Sequence, residues 1–166
     1  ATFFFSGALT EKLLDAMQAL QAQGHTVGLH GQHHADAPGA VANPGGPDAY
    51  LKSEIFPQLE RIGAAGIRVK SFAYPNNARN DETDKVLAPY FTRFRAGVSR
   101  GNGPCPLERL DAAFFPVAEI PAHPVMRGAG VGEYYHTVVE DLCGGIARAG
   151  KRKEVLTFFS HGIAPD

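Results

Sequence analysis

Apolar residues in this chain fall into short runs that alternate with repeats at helical spacing. Ala1-Thr2-Phe3-Phe4-Phe5 is apolar and aromatic and is ended by Ser6-Gly7, which predicts a buried strand. Leu9, Leu13, Leu14, Met17 and Leu20 then recur at helical spacing, with Gly24 where a C-cap glycine belongs. His25 to Leu29 predicts a second strand. The stretch from Gly31 to Pro47, rich in Ala, Gly, Pro and His, predicts a long loop of the kind that often carries function. A helix follows from Asp48, with Tyr50, Leu51, Ile55, Leu59 and Ile62 on one face, up to Gly63 or Gly66. Val69 to Tyr74 predicts a third strand, stopped by Pro75-Asn76-Asn77. Asn80 to Leu87 predicts a short helix, Phe91 to Ala96 a fourth strand, and Phe114 to Ile120 another short strand. Ser99 to Pro106 is turn-rich. Glu133 to Ala149 predicts a helix whose apolar face carries Tyr134, Val138, Leu142 and Ile146, before a final strand from Glu154 to Phe159.

Strands that alternate with helices long enough to cross over predict an α/β fold with a parallel sheet. No repeat, low-complexity tract or linker divides the chain, so residues 1–166 are expected to form a single domain. Pattern alone leaves a barrel and an open sheet as equal alternatives.

Composition narrows the function classes. The 166 residues are 44% hydrophobic and 20% charged, which is globular composition. Sixteen Lys and Arg against 17 Asp and Glu give a net charge of -1, so no excess of cations exists to displace counterions from nucleic acid or an anionic membrane. The longest apolar runs, such as Val155 to Phe159, fall far short of the roughly 20 residues of a membrane helix. Cys105 and Cys143 make neither a disulfide framework nor a thiolate zinc site.

Candidate chemistry sits at predicted strand ends. His30 follows one strand, Pro75-Asn76-Asn77 another, Arg95 ends a third, and Ser160-His161 follows the last. In parallel α/β folds these ends lie on one side, where sites are built. His30, His33 and His34 offer two pairs that suit a divalent ion, His30 with His33 or His30 with His34. Such an ion normally takes a third ligand, and Asp36 is the nearest carboxylate in sequence. His161 suits a general acid or base at a cleft rim, or equally a histidine capping a strand end. Tyr74-Pro75-Asn76-Asn77 suits either a plain turn or a turn that offers N–H groups to an oxyanion. Arg95 suits a partner for a carboxylate near the cleft or a solvated side chain. Ser160 lacks the Gly-x-Ser-x-Gly surroundings of a nucleophile elbow.

Taken in order, these segments resemble the polysaccharide deacetylase family, carbohydrate esterase family four. Ala1 to Gly7 is similar to its Ala-Thr-Phe-Phe strand. Gly24 to His34 resembles its Gly-His-Glu-Ile-Gly-x-His-x-x-x-His segment. Phe72 to Asn77 resembles its Phe-Arg-Pro-Pro-Tyr-Gly turn, and Leu156 to His161 its last strand with Leu-x-His. The resemblance implies a distorted, incomplete (β/α) barrel. It implies a divalent ion, usually Zn²⁺, that helps water attack an acetyl carbonyl on a carbohydrate or a related small amide or ester. Carried over by position, His30 and His34 would hold the metal, and the Asn76 N–H would support the oxyanion. Tyr74 and Pro75 would lie beside the substrate, and His161 would be the general acid.

Two departures stand out. Ala73 replaces the Arg that usually orients the catalytic Asp, and Arg95 is the candidate substitute. The family's first strand ends in Asp-Asp, the source of the base and of the third metal ligand, and no Asp-Asp pair occurs in this sequence. The expectation is therefore a deacetylase domain whose N-terminal βα unit lies upstream of Ala1. A second chain that supplies the strand is an alternative. So is a non-catalytic carbohydrate-binding or scaffold domain of the same fold.

Overall fold

The structure, a computed structural model, describes residues 1–98, 105–132 and 135–161. The chain divides into two compact units, Ala1–Phe94 and Arg95–Asp166.

In the first unit, strands β1 (Thr2–Phe5), β2 (Thr26–Leu29) and β3 (Ser71–Ala73) lie side by side. All three are parallel, with Thr2 opposite Thr26, Phe5 opposite Leu29, and Leu29 opposite Phe72. The crossover from β1 to β2 is helix α1 (Glu11–Ala22). Thr10 starts it because its side chain accepts the Leu13 N–H, and Leu14 and Met17 form its buried stripe. Gly24 ends the turn at φ +82°, a left-handed value that costs glycine nothing.

The crossover from β2 to β3 is longer. It runs through α2 (Ala37–Ala42), α3 (Gly46–Tyr50), one π-helical turn (Leu51–Ile55) and α4 (Phe56–Ala64). Much of the expected Gly31–Pro47 loop is thus helical. Asp36 caps α2 through its side chain, and Pro38 sits within the first turn, where a missing N–H costs no hydrogen bond. After β3, Asn80 and Thr83 exchange side chain-to-backbone bonds in a capping box that starts α5 (Asp81–Leu87). Phe72, Tyr74, Phe91 and Phe94 form a buried aromatic cluster, with ring centroids 5.2 Å apart for Phe72 and Phe91 and 5.7 Å for Tyr74 and Phe94. Strand β4 (Arg93–Gly97) starts in this unit, where Thr92 N and Arg93 N both donate to Lys70 O.

The second unit takes up β4 from Arg95, and Val98 N donates to Gly128 O. It contains β5 (Phe114–Pro116), β6 (Val125–Gly130), α6 (Val139–Arg152) and β7 (Glu154–Phe159). β6 and β7 are parallel, while β5 joins the other side of β7 antiparallel. Leu107, Ala113, Phe114 and Ala129 are its core. Strands that are mostly parallel, alternating with helices, make this an α/β fold.

Several expectations change here. The predicted strand Phe114–Ile120 keeps three residues and then becomes a 3₁₀ segment, Val117–Ala122, because Pro116 and Pro121 remove ladder donors. Strand β6 was not expected, since Val-Met-Arg-Gly-Ala-Gly carries little β-branched signal. Its glycines instead serve close packing: the Tyr135 ring occupies the space that a Cβ on Gly130 would need. Helix α6 begins at Val139, and residues Glu133 and Tyr134 of the expected helix lie outside the described residues. On its expected apolar face Leu142 is half-buried, while Val138 is 56% and Ile146 59% exposed. Contact runs instead over Gly145, where a Cβ would meet Leu107 and Leu156 at 2.9 Å. The expected turn Ser99–Pro106 lies mostly outside the described residues.

Two outcomes follow from this packing. A Cβ on Gly28 would meet the Phe4 ring at 2.6 Å and Ser71 O at 2.8 Å, so Gly28→Ala should destabilise the protein by about 1–3 kcal/mol in urea unfolding. An unchanged midpoint would show that β1 yields freely. In the second unit Arg148 Nε donates to Glu154 at 2.9 Å, and this bond holds the Glu154 carboxyl below its ordinary range. A depressed folded-state pKa adds stability above the unfolded value that is lost as pH falls through the folded one. The stability gap between the wild type and Glu154→Gln should therefore be full near neutrality and close in acid, below about pH 4.5. A gap independent of pH would remove the ion pair from the account.

Candidate functional site

The first unit gathers three histidines and one buried acid at the end of β2. His30 directly follows the strand, and its N–H donates to Phe5 O at 2.8 Å. Its Nδ1 stands 2.8 Å from Ala73 O. A carbonyl only accepts, so Nδ1 carries the proton and Nε2 keeps its lone pair. That lone pair is met by His34: the two Nε2 atoms are 3.1 Å apart, with ring centroids at 4.7 Å and planes at 83°. His34 adopts φ +57°, left-handed backbone that a β-carbon disfavours and that clusters at functional sites.

Glu54 organises this loop. It is 3% exposed and sits on the π-helical turn Leu51–Ile55, a distortion common at functional sites. Its Oε2 accepts His33 N at 2.9 Å and Ala35 N at 3.4 Å, and its Oε1 accepts His33 Nδ1 at 2.8 Å. Gln32 N donates to its backbone carbonyl at 3.0 Å. His33 is thereby turned toward Glu54, while His30 and His34 face one another. Gln58, one turn on, is also buried, and its Nε2 donates to Gly7 O at 2.9 Å, tying down the end of β1. Sequence reasoning missed Glu54. The available signal was an acid between Leu51 and Ile55, inside an apolar helical face.

The His30–His34 pair suits a metal ion. Two imidazole nitrogens at about 2.0–2.1 Å from a tetrahedral ion stand roughly 3.3 Å apart, close to the separation here. The bond from His30 Nδ1–H to a carbonyl is the usual support for a ligating imidazole. Among the described residues no group of three His, Cys, Asp or Glu side chains is arranged so that all three could hold one metal ion. Asp36 does not join the pair: its Oδ1 accepts Gly39 N at 2.8 Å as the cap of α2.

After β3 the chain turns through Tyr74-Pro75-Asn76-Asn77. Asn76 and Asn77 are left-handed, at φ +54° and +57°. Asn77 N and Ala78 N donate to Tyr74 O and Pro75 O, whereas Asn76 N–H makes no hydrogen bond among the described residues. Tyr74 and Pro75, the residues expected beside the substrate, both have buried side chains. Tyr74 OH donates to Asp84 at 2.7 Å, Arg79 pairs with the same carboxylate, and burial pushes the phenol well above its ordinary pKa. The ring is core, while Asn76 of the same turn is exposed.

The second unit holds Arg95 and His161. Phe159 links them, with the Arg95 guanidinium 4.6 Å from its ring centroid and the His161 ring edge-on at 6.0 Å. Burial pulls the Arg95 pKa down. Tyr135 stacks on His161, and its hydroxyl lies 2.9 Å from His161 Nδ1. Gly162 lies outside the described residues.

Known proteins supply the context for these groups. No curated protein matches the chain. A carbohydrate esterase family 4 pseudoenzyme from Bacillus anthracis is similar in fold, with 15% identity over 96% of this chain and 43% of its own, at a TM-score of 0.52. A mutant of that pseudoenzyme with restored enzymatic activity is similar at 14% identity, over 96% and 45%, with a TM-score of 0.51. The chain therefore spans less than half the length of these two proteins. Residues 1–91, which carry the histidine pair, Glu54 and the Asn76 turn, match the polysaccharide deacetylase family, and the chain belongs to that family.

Proposed function

We propose that this chain carries part of the site of a metal-dependent hydrolase that removes acetyl groups from an acetylated carbohydrate. The observation that carries the reading is the His30–His34 pair, with Nε2 atoms 3.1 Å apart and the His30 tautomer set by Ala73 O. His30 and His34 would hold a divalent ion, Zn²⁺ by ligand type. When bound, the ion lowers the pKa of water and polarises a carbonyl.

The chain's own groups supply the rest. The Asn76 N–H is oriented by a turn whose other N–H groups are engaged, so it is free to bind a carbonyl oxygen as charge grows there. His161 is assigned the proton donor to the leaving nitrogen or oxygen, with Tyr135 OH at 2.9 Å from its inner nitrogen. Arg95 lies beside Phe159 near that histidine and serves as the local positive charge. We further propose that the base and the third ligand are carboxylates outside these 166 residues, on another segment or a second chain. The support is that no third ligating side chain joins the pair among the described residues. The same observation supports a second reading, a carbohydrate-binding domain without catalysis.

Three measurements test this. Zinc titration should show that His30→Ala or His34→Ala abolishes stoichiometric binding while His33→Ala leaves it nearly intact; equal loss from His33→Ala would overturn the ligand assignment. Acetate release with zinc, cobalt or nickel should be weak for the 166-residue chain and strong when a strand ending in Asp-Asp is added. Full activity of the short chain would place the base within it, and none in either form would favour the binding domain. In an active form, His161→Ala should lower kcat by roughly 10²–10⁴. Unchanged turnover in a metal-replete mutant would remove His161 from the mechanism.

A further inference from the structure

We infer that Glu54 is the positioning residue of the histidine pair. Its buried carboxylate holds the Gly31–Ala35 loop in the one backbone path that brings His34 Nε2 onto His30 Nε2. The inference rests on the proposed metal role of that pair.

The geometry is specific. Among the described residues Glu54 is the only buried acid, and burying a carboxylate is costly unless its lone pairs are met. They are met by the His33 N–H, the His33 ring and the Ala35 N–H, the residues on either side of His34. Hydrogen bonds to an ionised acceptor are the stronger kind, so the loop is clamped on both flanks of its left-handed residue. That clamp offsets the cost of φ +57° at a non-glycine residue. Gly31 completes the fit: a Cβ there would lie 2.9 Å from Glu54 Oε2, and the residue sits at φ +85°. Glu54 is not itself a ligand, because both its oxygens are taken up by the loop.

A particular pattern of variants follows. Glu54→Gln keeps one oxygen for the two backbone N–H groups, and its new NH₂ can donate to His33 once that ring adopts its other tautomer. Glu54→Leu keeps bulk but leaves both N–H groups unmet. Gly31→Ala pushes on the carboxylate from outside Glu54.

The test combines zinc titration of the full chain with a metal-free measurement, the cross-ring proton contact between His30 and His34 by NMR. Glu54→Leu and Gly31→Ala should each weaken zinc binding by roughly 10–100-fold, the usual effect of losing an outer-shell partner. Both should erase the cross-ring contact while circular dichroism stays native. Glu54→Gln should rescue both readouts to near wild type. A folded Glu54→Leu or Gly31→Ala protein with wild-type affinity and contact overturns the inference. If Glu54→Leu does not fold, Gly31→Ala alone decides it. Should the wild type bind no zinc, the metal reading fails by itself, and the metal-free contact still judges the role of Glu54.

Discussion

A buried carboxylate must be satisfied where it stands, and in the first unit that requirement shapes the surroundings of Glu54. The side chain is drawn from a helix into the space beneath the loop after β2, where it meets N–H groups and a ring nitrogen. The helix accommodates this with a π-helical turn at Leu51–Ile55, which shifts the register of the residues around Glu54. The loop accommodates it with Gly31 and a left-handed His34. Gln58 repeats the device one turn later, binding the end of β1 through Gly7 O. Two buried polar side chains of one helical segment thus hold the ends of two parallel strands.

The histidines divide their roles through hydrogen bonding. Three stand within five residues, yet only two can face one another once the third is held by Glu54. The Ala73 carbonyl then selects the tautomer of His30 that leaves its outer nitrogen as an acceptor.

The second unit solves a related problem with rings. His161 lies among Tyr135 and Phe159, and Arg95 covers the other ring of the group. A phenol beside an imidazole can donate or accept, so it orients the ring in either protonation state. A carboxylate in that place would favour the imidazolium more strongly.

The sequence by itself determined the α/β alternation, the strand-end placement of His30, Asn76 and His161, and the family, whereas Arg95, expected at a strand end, stands in the middle of β4. These depend on local periodicity and on motifs contiguous in the chain. Tertiary structure decided the rest. Glu54 is 24 positions from His30 in the chain; its place inside an apolar helical face marks it as buried, but only the loop folding over it decides which groups it binds. Tyr74 read as a turn residue, and it is the aromatic cluster and Asp84, distant in the chain, that take up its side chain. Strand β6 was invisible because its glycines are selected by the rings packed against them, not by β propensity. The apolar stripe of α6 misled for the same reason: small Gly145, not the larger Val138 or Ile146, permits close approach to Leu107 and Leu156. Periodicity records which residues avoid water on average, whereas contact shape and hydrogen-bond satisfaction are set by partners far away in the chain.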